Sequence, residues 1–150
     1  MKHLTIFTLM GIMYVCVEVF FSAITGMQWR LVGQSSIWMF LVGGYLGLAV
    51  GLYSNIKKRY VKYPFDVLVG ASLITFIEFV SGCILNLWLG FNIWDYSKSA
   101  FNLLGQIDYI HSICWILITP LIFWLDDVIR HYMFNEHRPV PLINFYIGRY

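Results

Sequence analysis

Charged residues are scarce in this chain. Of its 150 residues, 12% are Asp, Glu, Lys or Arg, whereas 59% are hydrophobic, and the mean hydropathy is +0.70. An ordinary soluble domain carries about 25% charged residues, so this composition excludes a typical water-soluble fold. The net charge of only +2 gives no basic surface of the kind that binds nucleic acid.

Cysteines are few, and a phosphate-binding motif is missing from the sequence. The three cysteines, Cys16, Cys83 and Cys114, fall in separate apolar runs, so they predict neither a disulfide framework nor a metal-binding box. The sequence has no glycine-rich phosphate loop that ends in Lys-Ser or Lys-Thr. Any ATP-driven activity would therefore require a separate ATPase subunit.

Four long apolar runs are the main structural feature of the sequence. Each has about 20 residues, enough to cross a bilayer core of about 30 Å. They predict an all-α fold, a polytopic membrane protein with a four-transmembrane-helix bundle. We place the spans at residues 4–25, 35–54, 64–86 and about 104–125. They form a transmembrane domain over 1–126, followed by a cytoplasmic interfacial tail over 127–150.

The two halves of the chain also share an order of residues. In each half a glutamate late in one span is followed by Trp, Gly and Gln before the next span. Such self-similarity is the sequence signature of a duplication, and several transporter folds are built from internal repeats. Two tandem helical hairpins therefore remain an alternative description of the same four spans.

The basic residues are unevenly distributed about the spans. Lys2, four residues within 57–62, and three residues of the tail lie on one side, whereas Arg30 and Lys98 lie on the other. Lys and Arg near span ends are retained on the cytoplasmic side, so we expect both termini to be cytoplasmic. Four spans are too slim to enclose a channel alone, which favours a homo-oligomer or a hetero-complex in the lipid bilayer.

Acidic residues inside the spans are the main functional clue. Glu18 and Glu78 lie in the first and third spans, where a charge costs about 2.5 to 3.5 kcal/mol. Asp108 and His111 share one face of the fourth span. From the rise of an α-helix, all four residues fall in the outer half of the membrane. We therefore predict an outward-facing polar pocket lined by Glu18, Glu78, Asp108 and His111.

Three uses of this pocket remain open. As a transport or substrate-binding component, the chain would use it for a small polar or cationic substrate or for proton coupling. As a membrane-embedded hydrolase or transferase acting on a lipid-linked substrate, it would use a carboxylate and His111 as acid and base or as metal ligands. As an accessory subunit, it would use the same groups to fix helix packing. The sequence specifies neither a metal nor a cofactor.

The connection between the third and fourth spans is rich in aromatic and turn-forming residues. Trp94 and Tyr96 belong at the headgroup level of a bilayer, and Asp95 can brace a turn by accepting backbone N–H groups. We expect an ordered loop that covers the pocket. Its candidate substrate contacts are Trp94, Asp95, Tyr96 and Asn102.

Glycines recur at a spacing of four in the second span. They are Gly43, Gly47 and Gly51, with Gly44 beside the first. Small residues at this spacing let a neighbouring helix backbone approach closely. The pattern predicts tight packing within the bundle or against another subunit.

The second half of the chain resembles a known family. The resemblance is carried within 64–131 by Glu78, Trp-Asp-Tyr-Ser at 94–97, Asn-Leu at 102–103, Gly-Gln-Ile at 105–107 and Trp115. These residues resemble the CmpB-like small bacterial membrane proteins of the ABC-transporter permease family, type IV. The resemblance implies a bacterial plasma-membrane protein that serves as a transporter subunit, and it assigns a role to no individual residue.

Overall fold

The computed structural model of the chain describes residues 1–25, 35–57, 64–136 and 138–147. The regular elements in these ranges are helices: α1 Lys2–Thr25, α2 Ile37–Lys57, α3 Phe65–Gly82, α4 Tyr109–Phe134 and α5 Leu142–Ile147. A π-helical segment, Cys83–Trp88, continues α3. Extended pairing within the described ranges is limited to one isolated bridge between Leu103 and Ile107.

Four helical segments are long and apolar enough to cross a membrane. They are Lys2–Phe20, Ile37–Ile56, Phe65–Trp88 and Tyr109–Phe134. These segments confirm the predicted all-α class with four transmembrane helices. The fourth helix differs from the expected span of about 104–125, because Asp108 occupies its N-cap position and the helix continues to Phe134.

The chain divides into two compact units, Met1–Leu48 and Ala49–Tyr150. In the first unit, α1 packs against the first part of α2 through the predicted glycines. A Cβ atom at Gly44 would lie 2.8 Å from both the ring and the carbonyl oxygen of Phe7, and α1 side chains leave no room for one at Gly43 or Gly47 either. The predicted close helix contact is therefore confirmed for these three glycines.

The second unit is built around the contact between α3 and α4. Gly70 permits this contact, because a Cβ atom there would lie 2.6 Å from the Thr119 methyl group and 2.9 Å from the Phe123 ring. Ile74 is fully buried and Phe123 nearly so. Burial of such large apolar side chains contributes about 1.5 to 3 kcal/mol each relative to exposure in water. The short helix α5 contributes Phe145 to the same core.

Candidate functional site

The carboxylate of Glu78 is the centre of a buried polar group on α3. Its side chain is 5% exposed, and Trp115 of α4 donates its indole N–H to Oε2 at 2.7 Å. Tyr96 reaches Oε1 with its hydroxyl in a longer contact of 3.5 Å. Glu78 also lies within electrostatic range of His111 and Asp108. We call these five residues the Glu78 cluster.

Asp108 and His111 form a hydrogen-bonded pair at the start of α4. Asp108 caps the helix, because its Oδ1 accepts the backbone N–H of His111 at 2.8 Å. The same oxygen lies 2.7 Å from His111 Nδ1, so the carboxylate orients the imidazole. The ring of His111 stacks on Tyr96, with centroids 4.5 Å apart. These contacts link the pair to the tyrosine that touches Glu78.

The charge state of Asp108 follows from its surroundings. Burial raises the pKa of this carboxyl, but interactions with the backbone N–H of His111, the side chain of Ser99 and the imidazole of His111 together outweigh burial, so its pKa lies below the ordinary value. Asp108 is therefore ionised at neutral pH. Its partner His111 has 42% of its side chain exposed, which leaves the imidazole accessible at the edge of the cluster.

The loop over 89–108 is held in place by a buried amide pair. Asn86, in the π-helical segment, donates to the Gln106 side chain at 2.8 Å and to the Trp94 carbonyl at 3.0 Å. It also accepts the backbone N–H of Ile93 at 2.7 Å. Trp94 in turn donates its indole N–H to the Gln106 carbonyl at 3.0 Å. The candidate residue Trp94 thus serves to fix the loop on α3.

Asp95 and Asn102 are also engaged within the loop. Asp95 accepts the backbone N–H of Ser97 at 2.8 Å and its hydroxyl at 3.0 Å, which is the turn that the sequence predicts. These two bonds hold the pKa of the Asp95 carboxyl below its usual range. Asn102 donates to the Ser99 carbonyl at 2.8 Å and accepts the Gly105 N–H at 2.9 Å. Both side chains therefore shape the loop that carries Tyr96 to Glu78.

Glu18 lies in the first unit, on α1. Its Oε2 accepts the Ser35 hydroxyl at 2.6 Å, and the side chain is only partly buried. The sharing of a pocket between Glu18 and Glu78 stays a prediction. The described ranges also hold no group of three or more His, Cys, Asp or Glu side chains suited to a metal ion.

A second buried polar group lies towards the opposite ends of α3 and α4. Arg130 donates Nε–H to Asp126 Oδ2 at 2.6 Å, and Asn55 of α2 donates to the same oxygen at 2.8 Å. Asp126 is fully buried and Arg130 is 3% exposed. We call these three residues the Asp126 cluster. Beside it, the hydroxyl of Tyr53 donates to Asp66 Oδ1 at 3.0 Å.

Nearly the whole chain matches a known protein family. The family described as "Putative ABC-transporter type IV" matches residues 5–146. The chain belongs to this family. No curated protein and no solved structure matches the chain. The chain is thus a multi-pass membrane protein of ABC-transporter type, and the match extends well beyond the residues 64–131 that carry the resemblance.

The Asp126 cluster was not among the sites predicted from the sequence of this ABC-transporter-type protein. The expected boundary between transmembrane domain and tail, at 126/127, falls inside α4, and the helix continues through it to Phe134. One signal was present: Asp126 and Arg130 have the i, i+4 spacing that pairs opposite charges on a helix. Their burial depends on the absence of a side chain at Gly51, where a Cβ would meet the Asp126 carboxylate.

Proposed function

We propose that the chain is the membrane-spanning subunit of a transporter and that the Glu78 cluster binds a small organic cation. One observation carries this proposal. Glu78 is 5% exposed, and its hydrogen-bond donors in the described ranges, Trp115 and Tyr96, are both neutral. A buried carboxyl group is normally either neutralised by a proton or paired with a group of opposite charge. A cationic substrate would supply the positive charge that these donors do not.

The aromatic neighbours of Glu78 suit the same class of ligand. Trp and Tyr faces attract ammonium groups by about 0.5 to 2 kcal/mol, depending on how fully the site is desolvated. Trp115 and Tyr96 contact the carboxylate through their N–H and O–H groups, which lie at the ring edges, so a cation at Glu78 would gain this attraction once a ring face turned towards it. Asp108, ionised at neutral pH, adds a second negative charge near the site. These features together favour a cation over an anion.

Glu78 would also serve for proton coupling. A cation and a proton on the same carboxylate exclude each other, so the release of one would accompany the binding of the other. Intramembrane carboxylates are the usual proton relays of pumps and transporters. In this scheme Trp94, Asp95 and Asn102 hold the loop, and Tyr96 makes the contact that a substrate would displace.

We also propose the membrane, the orientation and the partners of this subunit. The bias of Lys and Arg towards one side favours cytoplasmic termini, and the resemblance favours the bacterial plasma membrane. ATP-driven transport would use a separate ATPase subunit, and the site would open outward within a homo-oligomer or hetero-complex. Glu18, in the first unit, would serve as a further carboxylate in substrate binding or proton coupling.

An enzymatic role has one observation in its favour. Asp108 and His111 have the arrangement of a base and its orienting group. Catalysis of group transfer would also need a nucleophile within reach of the imidazole. Ser112, the hydroxyl next to His111 in the chain, donates to the Asp108 carbonyl at 2.6 Å. The hydroxyl of Ser112 is thus already bonded to the backbone. We therefore rank a hydrolase or transferase function below cation binding.

Binding of tetramethylammonium tests the proposed function. The protein in lipid nanodiscs would be titrated with the labelled cation in a scintillation proximity assay. Glu78→Gln keeps the shape of the side chain but removes its charge, so affinity should fall by roughly ten- to a hundredfold, the effect of losing a charged partner. Glu136→Gln, a matched loss of one carboxylate elsewhere, should bind as wild type. Equal binding by all three proteins would contradict the proposal.

A further inference from the structure

The short helix α5 folds back along α4. The hydroxyl of Tyr146, in α5, donates to the backbone carbonyl of Leu117 at 3.1 Å. At about 1.5 Å per residue, Leu117 lies about 12 Å from the start of α4 and about 25 Å from its end at Phe134. The chain leaves α4 at Phe134, so the C-terminal segment has returned over more than half the length of that helix.

This contact lies at the depth of the hydrocarbon core. The candidate span Tyr109–Phe134 has 26 residues, so a core of about 30 Å centred on it puts Leu117 about 7 Å from the midplane. The Tyr146 hydroxyl is then about 22 Å from the core boundary on the side where α4 ends. A helix that lies on a membrane surface is buried by only about 5 to 10 Å. The contact is therefore too deep for a surface helix on that side.

The reversal of the chain after α4 is fixed by hydrogen bonds. Asn135 ends the helix in the left-handed conformation, with φ of 54°, which asparagine often adopts at a helix end. Its N–H donates to the His131 carbonyl at 3.0 Å, and the N–H of Glu136 donates to the Arg130 carbonyl at 3.2 Å. The seven residues between α4 and α5 can span up to about 25 Å. The connection is thus long enough to bring α5 beside Leu117.

The C-terminal segment has a composition that suits hydrocarbon. Phe145 of α5 is 1% exposed and belongs to the core of the second unit. Pro139 and Pro141 lack backbone N–H groups, which lowers the number of donors that need a partner away from water. The exposed side chains of Ile143 and Ile147 are apolar. The segment can therefore lie within the membrane without exposing charge to lipid.

The segment meets α4 at a turn that belongs to the Glu78 cluster. Pro120 lacks the N–H that would bond the Ile116 carbonyl, and neighbouring side chains commonly satisfy the backbone around a proline in a membrane helix. Tyr146 donates one residue along, to Leu117. Trp115, two residues before Leu117, is the indole donor to the carboxylate of the cluster. The tail is thus joined to the turn that positions this donor.

We propose that residues 138–147 form a re-entrant strap, which enters the membrane beside α4 and fixes the turn that presents Trp115 to Glu78. The strap begins at the membrane side where α4 ends. A displacement of the tail on that side would be transmitted to the Glu78 cluster through Tyr146. The strap is independent of cation binding, since it would hold the same turn whatever the cluster binds.

Spin-label depth measurements in nanodiscs test the position of the strap. Single cysteines would replace Ile147 of the strap, Phe76 near the middle of α3 and Met133 near the end of α4, in a protein whose own cysteines are serine. All three positions are exposed, and Ile143 is a second exposed label site in α5 should the Ile147 variant not fold. Collisions of the label with oxygen, relative to a polar nickel complex, rise towards the bilayer centre. We expect the strap label to lie about 10 to 20 Å deeper than the Met133 label, from the rise along α4, and close to the depth of the Phe76 label. A strap label as shallow as Met133 would show a tail on the membrane surface and overturn the proposal.

The indole N–H resonance of Trp115 tests the link to the cluster. Tyr146→Phe removes only the donating hydroxyl, and Tyr132→Phe is the matched control at an exposed position of α4. With ¹⁵N-labelled tryptophan, the resonance that disappears in Trp115→Phe should shift in Tyr146→Phe and stay in place in Tyr132→Phe. An unchanged resonance in both variants, or an equal shift in both, would overturn the link. Neither measurement involves a ligand, so a failure of the strap leaves the proposed function standing, and a failure of cation binding leaves the strap standing.

Discussion

The substitution Arg130→Met tests the energetic importance of the Asp126 cluster. Arg130 Nε lies 2.6 Å from Asp126 Oδ2, and both side chains are at most 3% exposed. Methionine keeps much of the apolar stem but removes the charge and the donor. Breaking a buried pair by removing one partner costs about 3 to 5 kcal/mol, since the other charge stays buried. Asn55 still donates to the same oxygen, so we expect a loss near the lower end, about 3 kcal/mol.

Unfolding in mixed micelles by increasing mole fraction of SDS, followed by circular dichroism, measures this loss. Arg138→Met is the matched control, because Arg138 is exposed and a surface substitution changes stability by about 0.5 kcal/mol or less. The double variant Asp126→Asn with Arg130→Met removes both charges and should recover part of the loss, with a coupling of about 0.5 to 3 kcal/mol. Equal midpoints for Arg130→Met and Arg138→Met would show that the buried pair does not contribute this stability.

Three further predictions concern the Glu78 cluster and its loop. Trp115→Phe removes the 2.7 Å donor to Glu78 and should cost about 1.5 to 3 kcal/mol in SDS unfolding. Asp108→Ala removes the α4 cap and should cost about 1 kcal/mol in the same assay, whereas Asp108→Asn should keep most of the capping stability. The pKa of Asp95 is depressed by its bonds from Ser97, so the stabilisation it gives the loop is complete above the ordinary Asp pKa of about 3.9 and is lost as the pH falls through the lower folded value. Protease cleavage of the loop at a series of acidic pH values should show this loss, and Asp95→Asn should remove that pH dependence.

The helices could be predicted from the sequence because hydrocarbon imposes a simple length rule. Twenty apolar residues must form a helix there, since every backbone N–H and C=O has to be satisfied within the segment. The close contacts of Gly43 and Gly47 follow from their spacing, because small residues four apart let a neighbouring helix backbone approach closely. The end of α4 was harder to predict. Asp126 and Arg130 are charged, so without knowledge of their pairing they indicate the start of a polar tail.

The sequence was enough to predict which residues form the candidate site, but not which of them contact each other. Glu78 stands out as a charge in an apolar run, but its partner Trp115 is 37 positions away, and helical periodicity does not reveal contacts between helices. The loop depends on non-glycine residues with positive φ, among them Phe101 at 53° and Leu104 at 53°. Such residues rarely adopt this conformation, so sequence patterns do not signal it.

The cation-binding claim is tested most directly by infrared difference spectroscopy of the Glu78 carboxyl group. Spectra of the protein in nanodiscs would be recorded with and without tetramethylammonium, for wild type and for Glu78→Gln. We expect the carboxylate stretching bands to shift on binding in wild type and to show no such shift in the variant. Bands that stay unchanged while the cation binds, or that shift equally in Glu78→Gln, would contradict it.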